Sequence, residues 1–252
     1  MRYLTHASIA AGLMALAGSA QAGYVGGPID LQIDYNGQSW LMSQYPDQFT
    51  VTTNADGSMT IVGHGDVSSE FGVNYRLDVG GPNTGDRGAG DGVASVTSNF
   101  TLTNTAAITN TFTVTAIVPI TVPFAATGMR GSFSGSVLDN SASFNGATIA
   151  TAANTPMYSA LIDGVVVRTL RNDPFATSAL GGQTASIPTT NFGVPAFQPG
   201  PAAVSTIAIT NVFTLTADDS ATNSSSFIIT VPAPGAAALT GLAGLVGLRR
   251  RR

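Results

Sequence analysis

The chain has 252 residues, of which 44% are hydrophobic and only 10% are charged, and its formal net charge is −4 at pH 7. It contains no cysteine and no lysine, which excludes disulfides and a phosphate-binding loop of the Gly-Lys-Ser/Thr type. The acidic balance argues against a nucleic-acid partner.

The first predicted element is a signal peptide over the first 22 residues. Arg2 gives a weakly basic start, and the apolar run of residues 7–17 is too short to cross a bilayer. Ala20 and Ala22 form an A-x-A cleavage pattern ahead of Gly23. The alternative, an N-terminal core helix, would need a cap and a partner face that the following Gly- and Pro-containing segment does not offer. The pattern therefore predicts export through the secretory translocon.

Residues 23–230 form the predicted exported body. Five arginines and all fourteen acidic residues lie in this range, so its net charge is −9. Ser, Thr, Asn and Gly supply most of its polarity, and such a surface suits a hydrated extracellular matrix. Because disulfides are absent, stability must come from a hydrophobic core, and the hydrophobic content is sufficient for one or two β domains.

Most of the body alternates apolar and polar residues with the two-residue period of β-strands, and no segment shows a sustained helical stripe. Turn residues separate these runs. The pattern predicts an all-β fold, an antiparallel β-sandwich that is immunoglobulin-like or jelly-roll-like. The predicted strands are residues 49–53, 59–62, 71–79, 96–103, 110–117, 132–138, 141–149, 157–162, 165–170, 204–217 and 225–231.

Turn chemistry predicts how several of these strands are connected. Residues 54–58 join the first two as a hairpin, and Asp163-Gly164 fits a two-residue type I′ turn. The strands on either side of residues 104–109 alternate most clearly, and they resemble the strand pair of immunoglobulin-like adhesive modules in bacterial surface proteins. Residues 171–201 contain five prolines and little alternation, which predicts a long loop or a linker between two subdomains.

Candidate catalytic residues are few. The body contains one histidine, His64, which lies near Asp66 in a Gly-rich segment. The carboxylate could orient the imidazole as a base or a metal ligand, and the alternative is an ordinary polar residue. Ligand count excludes a zinc site, and nothing marks Glu70 or any Asp as the acid of a glycosidase. The sequence predicts that the protein is not an enzyme.

The body contains two candidate ligand sites, and the first is a Gly-rich segment with several oxygen-bearing side chains. Asp78, Asn83, Asp86 and Asp91 could supply oxygen ligands to calcium, although Arg87 opposes a cation, and the alternative is a Gly-rich connection between strands. No other cofactor is expected.

An aromatic cluster near the start of the body is the second candidate. Trp40, Tyr35 and Tyr45 lie close together in sequence, with Gln38 and Gln44 beside them. Aromatic faces stack on sugar rings, so this cluster could bind carbohydrate. The alternative is that the one tryptophan belongs to the core of the sandwich.

The last predicted element is a C-terminal tail. A Pro-containing break precedes the apolar run of residues 236–248, which as a helix would be about 20 Å long and shorter than a ~30 Å hydrocarbon core. Four terminal guanidinium groups resist crossing the membrane. The break consists of Val231, Pro232, Ala233, Pro234 and Gly235, and the cationic end of Arg249, Arg250, Arg251 and Arg252.

This tail resembles the PEP-CTERM sorting signal of Gram-negative bacteria. Val231-Pro232-Ala233-Pro234 stands where that family has Val-Pro-Glu-Pro, with Ala233 in place of Glu. The resemblance covers about a tenth of the chain. It implies transient anchoring in the inner membrane, cleavage near this block by an exosortase-type processing enzyme, and delivery to the cell envelope, cell surface or extracellular matrix.

These features together predict an exported protein of the cell surface or extracellular matrix with a structural or adhesive role. The alternative is a carbohydrate-binding module for exopolysaccharide, and a secreted hydrolase ranks third.

Overall fold

The computed structural model of the protein describes residues 29–54, 58–68, 71–80, 92–120 and 122–231. The predicted signal peptide and the tail after Val231 lie outside these residues. The described part is all-β and consists of two antiparallel sheets, with two short 3₁₀ turns, Met42–Gln44 and Pro46–Gln48.

The long central strands alternate apolar inward and polar outward side chains, which is what a strand with one buried face requires. The strands of the described residues are β1 (Asp30–Tyr35), β2 (Gln38–Leu41), β3 (Phe49–Thr53), β4 (Met59–Ser68), β5 (Phe71–Gly80), β6 (Val93–Asn104), β7 (Asn110–Pro119), β8 (Thr127–Leu138), β9 (Ala147–Ala150), β10 (Tyr158–Ile162), β11 (Val165–Leu170), β12 (Ala176–Ala179), β13 (Thr184–Phe192), β14 (Gln198–Gly200), β15 (Thr206–Leu215) and β16 (Ser220–Thr230).

The first sheet has the order β11-β10-β15-β7-β1-β2, with β9 beside β15 and β12 beside β9. The second has the order β13-β8-β16-β6-β5-β4-β3, with β14 beside β8. Aromatic side chains meet between the two sheets: the rings of Phe100 and Phe213 lie 6.1 Å apart, and those of Tyr35 and Phe71 lie 5.4 Å apart. These contacts place the hydrophobic core between the sheets, as a β-sandwich requires.

Two predicted hairpins are confirmed. β3 pairs with β4, and β10 pairs with β11. Asp163 and Gly164 have φ angles of 50° and 78°, so both central residues of the turn are left-handed, as a type I′ turn demands. The Asp163 carboxylate also accepts hydrogen bonds from the backbone N–H groups of Val204, Ser205 and Thr206, which lowers its pKa to about 2 although burial opposes the shift.

The strands on either side of residues 104–109, predicted to form a pair, do not pair with each other. β6 and β7 belong to different sheets, as do β8 and β9 and also β15 and β16. Alternation indicates which side of a strand is buried, but it does not indicate which strand lies beside it. In a sandwich, two consecutive strands show the same alternation whether they lie in one sheet or in the two facing sheets. The predicted strand over residues 141–149 shrinks to β9, because residues 139–146 form a loop held by the Asp139 carboxylate.

The predicted long loop over residues 171–201 contains strands instead. β12, β13 and β14 lie in this segment. Pro188 lies at a register shift in the pairing of β13 with β8, where a missing N–H is tolerated. Arg171 Nη2 donates a hydrogen bond to the Pro188 carbonyl, which ties this outer strand to the end of β11.

Both ends of the described body lie at the same end of the sandwich. β15 begins at Thr206, which pairs with Pro119, and Asp30 at the start of β1 pairs with Ile117. β15 then runs to the opposite end, where residues 216–219 turn the chain into β16, and β16 returns to Thr230. We call the end with residues 29 and 231 the proximal end, and the other the distal end.

Candidate functional site

Of the residues predicted for metal or acid–base chemistry, the structure describes the side chains of His64 and Asp78, and each has its own polar partner. His64 lies on the outer face of β4, with its Nδ1 2.8 Å from Asn74 Oδ1 on β5. Asp78 forms an ion pair with Arg76 at 2.9 Å and accepts a hydrogen bond from Thr60. In the described part of the chain, no group of three or more His, Asp or Glu side chains could hold a metal ion. Asn83, Asp86 and Asp91 of the predicted calcium site lie outside that part.

Of the three predicted aromatic residues, the structure brings two together. Trp40 points inward from β2 and is buried, whereas Tyr45, between the two 3₁₀ turns, is 38% exposed. Their rings are parallel, 5.6 Å apart at 12°. Tyr35 is also buried, but its ring stacks on Phe112 at 5.1 Å instead.

A third ring from another strand completes what we call the aromatic corner, formed by Trp40, Tyr45 and Tyr75. The Tyr75 ring on β5 meets Trp40 edge-on at 5.9 Å. The corner joins one exposed ring to two buried ones and connects β2 of the first sheet with β5 of the second.

Polar atoms of the aromatic corner, and of Gln48 in the second 3₁₀ turn, have unused hydrogen-bonding capacity. Trp40 Nε1, the Tyr75 hydroxyl and Gln48 Oε1 are buried and have no hydrogen-bond partner among the described residues. Gly63 makes room for the Tyr75 hydroxyl, because a Cβ at this position would overlap it. Buried polar groups are normally paired, so these unpaired atoms mark positions that an internal water would complete.

Burial shifts the pKa values of two ionisable groups at the aromatic corner, the Asp30 carboxyl and the Tyr75 phenol. Burial raises the pKa of the Asp30 carboxyl above its usual value, although the Ser43 backbone N–H (3.2 Å) and hydroxyl (2.8 Å) donate to it. Burial, and then the negative charge of Asp30, also raise the pKa of the Tyr75 phenol. The Tyr75 hydroxyl therefore stays protonated and remains a hydrogen-bond donor at physiological pH.

The distal end is closed by a buried polar network that sequence analysis missed. Asp139 accepts hydrogen bonds from the Ser141 N–H (2.9 Å), the Ser141 hydroxyl (2.5 Å), and the N–H groups of Gly146 (3.1 Å) and Gly182 (2.9 Å). These donors hold its pKa far below the usual range. Asp219 is buried nearby, and burial together with repulsion from Asp139 raises its pKa, although Thr216 donates a hydrogen bond to it.

A shallow depression of about 470 Å³ lies on the same distal end. Thr109, Asn145, Thr148 and Ser178 contribute to its lining, so hydroxyl and amide groups dominate the surface. Phe144, in the loop that Asp139 holds, is 68% exposed. The distal end therefore presents both polar groups and an aromatic ring to solvent.

The outer face of the second sheet carries an array of uncharged polar side chains. Hydroxyl and amide groups on neighbouring strands bond to each other across β8, β16 and β6, as in Ser132–Ser226 (2.8 Å), Ser224–Asn99 (2.6 Å) and Thr101–Thr222 (2.9 Å). The array consists of Ser132, Ser134, Ser136, Thr222, Ser224, Ser226, Thr97, Asn99 and Thr101, which the strand register places in three rows of three.

Comparisons with models of protein families, with curated proteins and with solved structures find no match to this chain. Among the described residues, no helix is long and apolar enough to cross a membrane.

Tyr75, Asp139 and Asp219 are the site residues that sequence analysis missed. Their only sequence signals are a strand position for Tyr75 and turn positions for the two aspartates, and many residues of the chain share these signals.

Proposed function

We propose that this protein is exported to the cell surface or extracellular matrix, where its body serves a structural or adhesive role. The observation that carries the proposal is the position of Ile29 and Val231, which both lie at the proximal end. A signal peptide ahead of residue 29 and a sorting tail after residue 231 would attach at this end. The distal end would then point away from the membrane.

The start of the sorting block is accessible to a processing enzyme. Val231 is about half exposed, and its backbone N–H donates a 2.8 Å hydrogen bond to the Gly92 carbonyl at the rim of the second sheet. An exosortase-type enzyme would therefore meet the chain just after the last strand of the second sheet. A short C-terminal apolar helix over residues 236–248 would hold the protein in the inner membrane until cleavage.

The surface chemistry of the body supports a matrix role. The polar array on the second sheet is uncharged and its hydroxyl groups are ordered by bonds to each other, which suits contact with water and neutral polysaccharide. The finer fold type that we propose is an immunoglobulin-like or jelly-roll-like sandwich. The connections from β6 to β7, from β8 to β9 and from β15 to β16, which cross between the sheets, support it.

Removal of the terminal charges tests the sorting step. When Arg249, Arg250, Arg251 and Arg252 are all replaced by Ala in the native host, we expect most of the protein to disappear from the surface fraction, because nothing then stops the tail in the membrane. Quantitative immunoblots of inner-membrane, surface and medium fractions measure this. Arg168→Ala, in the body, is the control and should leave the distribution unchanged. An unchanged distribution for the four-arginine variant would refute the sorting proposal.

A second candidate function, binding of exopolysaccharide, is favoured by the aromatic corner. Tyr45 offers a ring face to solvent, backed by the parallel ring of Trp40, and aromatic faces of this kind stack on sugar rings.

The fluorescence of Trp40, the one tryptophan of the chain, tests this second function directly. We expect a saturable change in emission when exopolysaccharide from the host is added to the purified protein. Tyr45→Ala should weaken binding by about tenfold, because it removes the exposed stacking face. Phe144→Ala, which removes an exposed ring at the distal end, is the matched control and should bind as the unaltered protein does. Equal affinity of the two variants, or no emission change at all, would eliminate this site.

A further inference from the structure

The outermost strand of the second sheet, β3, has an unpaired outer edge. It ends the strand order, and no strand of the described residues lies beyond it. An edge strand turns alternate backbone N–H and C=O groups away from its sheet, where they can bond to a strand of another chain. Natural β-proteins protect such edges with short strands, charged side chains, prolines or bulges.

The other sheet edges in the described part of the chain are protected in these ways. β2, β12 and β14 have four residues or fewer. β11 contains Arg168 and pairs with β10 through a register shift, and β13 contains Pro188 at a register shift. β3, with the sequence Phe-Thr-Val-Thr-Thr, has five residues in unbroken register and neither charge nor proline.

Val51 in the middle of β3 adds an apolar contact to this edge. It pairs with Ile61, whose side chain is buried, so Val51 points toward the core side of the sheet. It is nevertheless 44% exposed. The first sheet therefore does not cover this part of β3, and room remains beside Val51 for another apolar side chain.

We propose that β3 pairs antiparallel with β3 of a second copy of this protein, about a two-fold axis at Val51. This register sets the Val51 side chains of the two copies opposite each other, and sets Thr50 of each copy opposite Thr52 of the other. An isologous contact of this kind buries the same surface on both copies, and its backbone bonds extend the second sheet of one molecule into that of the next.

Charge and side-chain chemistry favour a second copy as the partner. The body carries a net charge of −9, so contacts between copies at charged surfaces are repulsive, whereas β3 itself is neutral. Opposed threonine pairs already occur within this protein, in Thr101–Thr222 (2.9 Å) and Thr115–Thr210 (3.1 Å). As a way to build a matrix, the pairing rests on the proposed function, but the contact itself can be measured on the purified protein.

Cysteine crosslinking tests the register, because the natural chain has no cysteine. Directly opposed residues of antiparallel strands have Cα atoms about 4.5–5.5 Å apart, within the range of about 4.4–6.8 Å that disulfides require. Protein carrying Val51→Cys should therefore form a covalent dimer under mild oxidation. Val62→Cys is the matched control: Val62 is 48% exposed on the outer face of the adjacent strand β4 and should not crosslink.

A charge at the same position tests the energetics. Val51→Lys should raise the dimer dissociation constant by at least about tenfold in sedimentation velocity experiments, because it sets like charges opposite each other, while Val62→Lys should not. Circular dichroism confirms that the variants are folded. A folded Val51→Cys protein that stays monomeric would overturn the proposal, and this is the result expected if another segment of the same chain covers β3. Equal crosslinking of the Val51→Cys and Val62→Cys proteins would overturn it as well. Because purified protein is used, such a failure leaves the sorting proposal standing.

Discussion

Replacing Asp139 by Asn is expected to lower the Tm at pH 7 by at least about 5 °C, whereas the same replacement at Asp219 should leave the Tm unchanged or raise it. Asp139 accepts four hydrogen bonds from Ser141, Gly146 and Gly182, and an amide can accept only at its one oxygen. Asp219 has one carboxylate oxygen with no hydrogen-bond partner among the described residues, so its charge is poorly compensated.

The two carboxylates change the stability of the fold in opposite directions as the pH falls. The folded-state pKa of Asp139 is depressed, so its contribution to stability is present above the unfolded pKa of about 3.9 and is lost as the pH falls below it. The folded-state pKa of Asp219 is raised, so ionisation destabilises the fold above that pKa and protonation relieves the effect as the pH falls toward about 3.9.

Thermal unfolding monitored by circular dichroism over a pH series measures both effects. Asp139→Asn should reduce the loss of stability at acid pH, to which Asp163 also contributes, and Asp219→Asn should reduce the gain on lowering the pH from neutrality, to which Asp30 also contributes. Equal losses in both variants at pH 7 would contradict the distinct roles assigned to these side chains.

Asn104→Val is expected to destabilise the fold by about 3 kcal/mol or more, while Asn223→Val should be neutral or stabilising by about 1 kcal/mol. The two asparagines are equally buried, but their hydrogen bonding differs. Asn104 Nδ2 lies within 3.0 Å of the carbonyl oxygens of Ile108, Leu215 and Thr216, so valine would leave these groups unpaired. Both polar atoms of the Asn223 side chain have no partner among the described residues, so valine removes a buried polar group without orphaning another.

Urea denaturation of the two variants measures this difference. Valine also favours β-strands, and both positions lie in strands, so the intrinsic propensity change is matched between them. A loss of stability at Asn223 as large as that at Asn104 would show that the Asn223 amide is paired in solution, for example with an internal water.

Local turn chemistry made part of the fold predictable. Asp163-Gly164 specified a tight turn through the φ angles that these residues tolerate. By the same logic, Asn36-Gly37, with φ angles of 46° and 74°, marks the hairpin of β1 and β2, which the sequence analysis did not predict. Asp-Leu-Gln-Ile-Asp-Tyr ahead of this turn alternates clearly, so this strand pair was readable from the sequence.

The sheet order was not predictable from the sequence, because it depends on contacts between residues far apart in the chain. β16 pairs with β6 and β8 in the centre of the second sheet. The sequence of Ser220–Thr230 contains no pattern that would predict these two neighbours. β12 and β14 are too short to show a period, and β13 is interrupted by Pro188. Strands of this kind are held by their neighbours more than by their own composition.

The candidate site was predictable only where its members are close in sequence. Trp40 and Tyr45 are five positions apart, and their proximity suggested a cluster. Tyr75 joins them from β5 through the packing of the two sheets. Asn104 and Asp219 meet at the distal end, where the Asn104 N–H donates to the Asp219 carbonyl at 2.9 Å, although 115 positions separate them.

The most direct test of the proposed sorting is the intact mass of the protein recovered from inner-membrane, surface and matrix fractions of its native host. We predict that the surface and matrix forms lack the first 22 residues and end near the Val231–Gly235 block, with or without added sugar mass. An inner-membrane protein that retains residues 236–252, with no shorter form in the other fractions, would contradict the account.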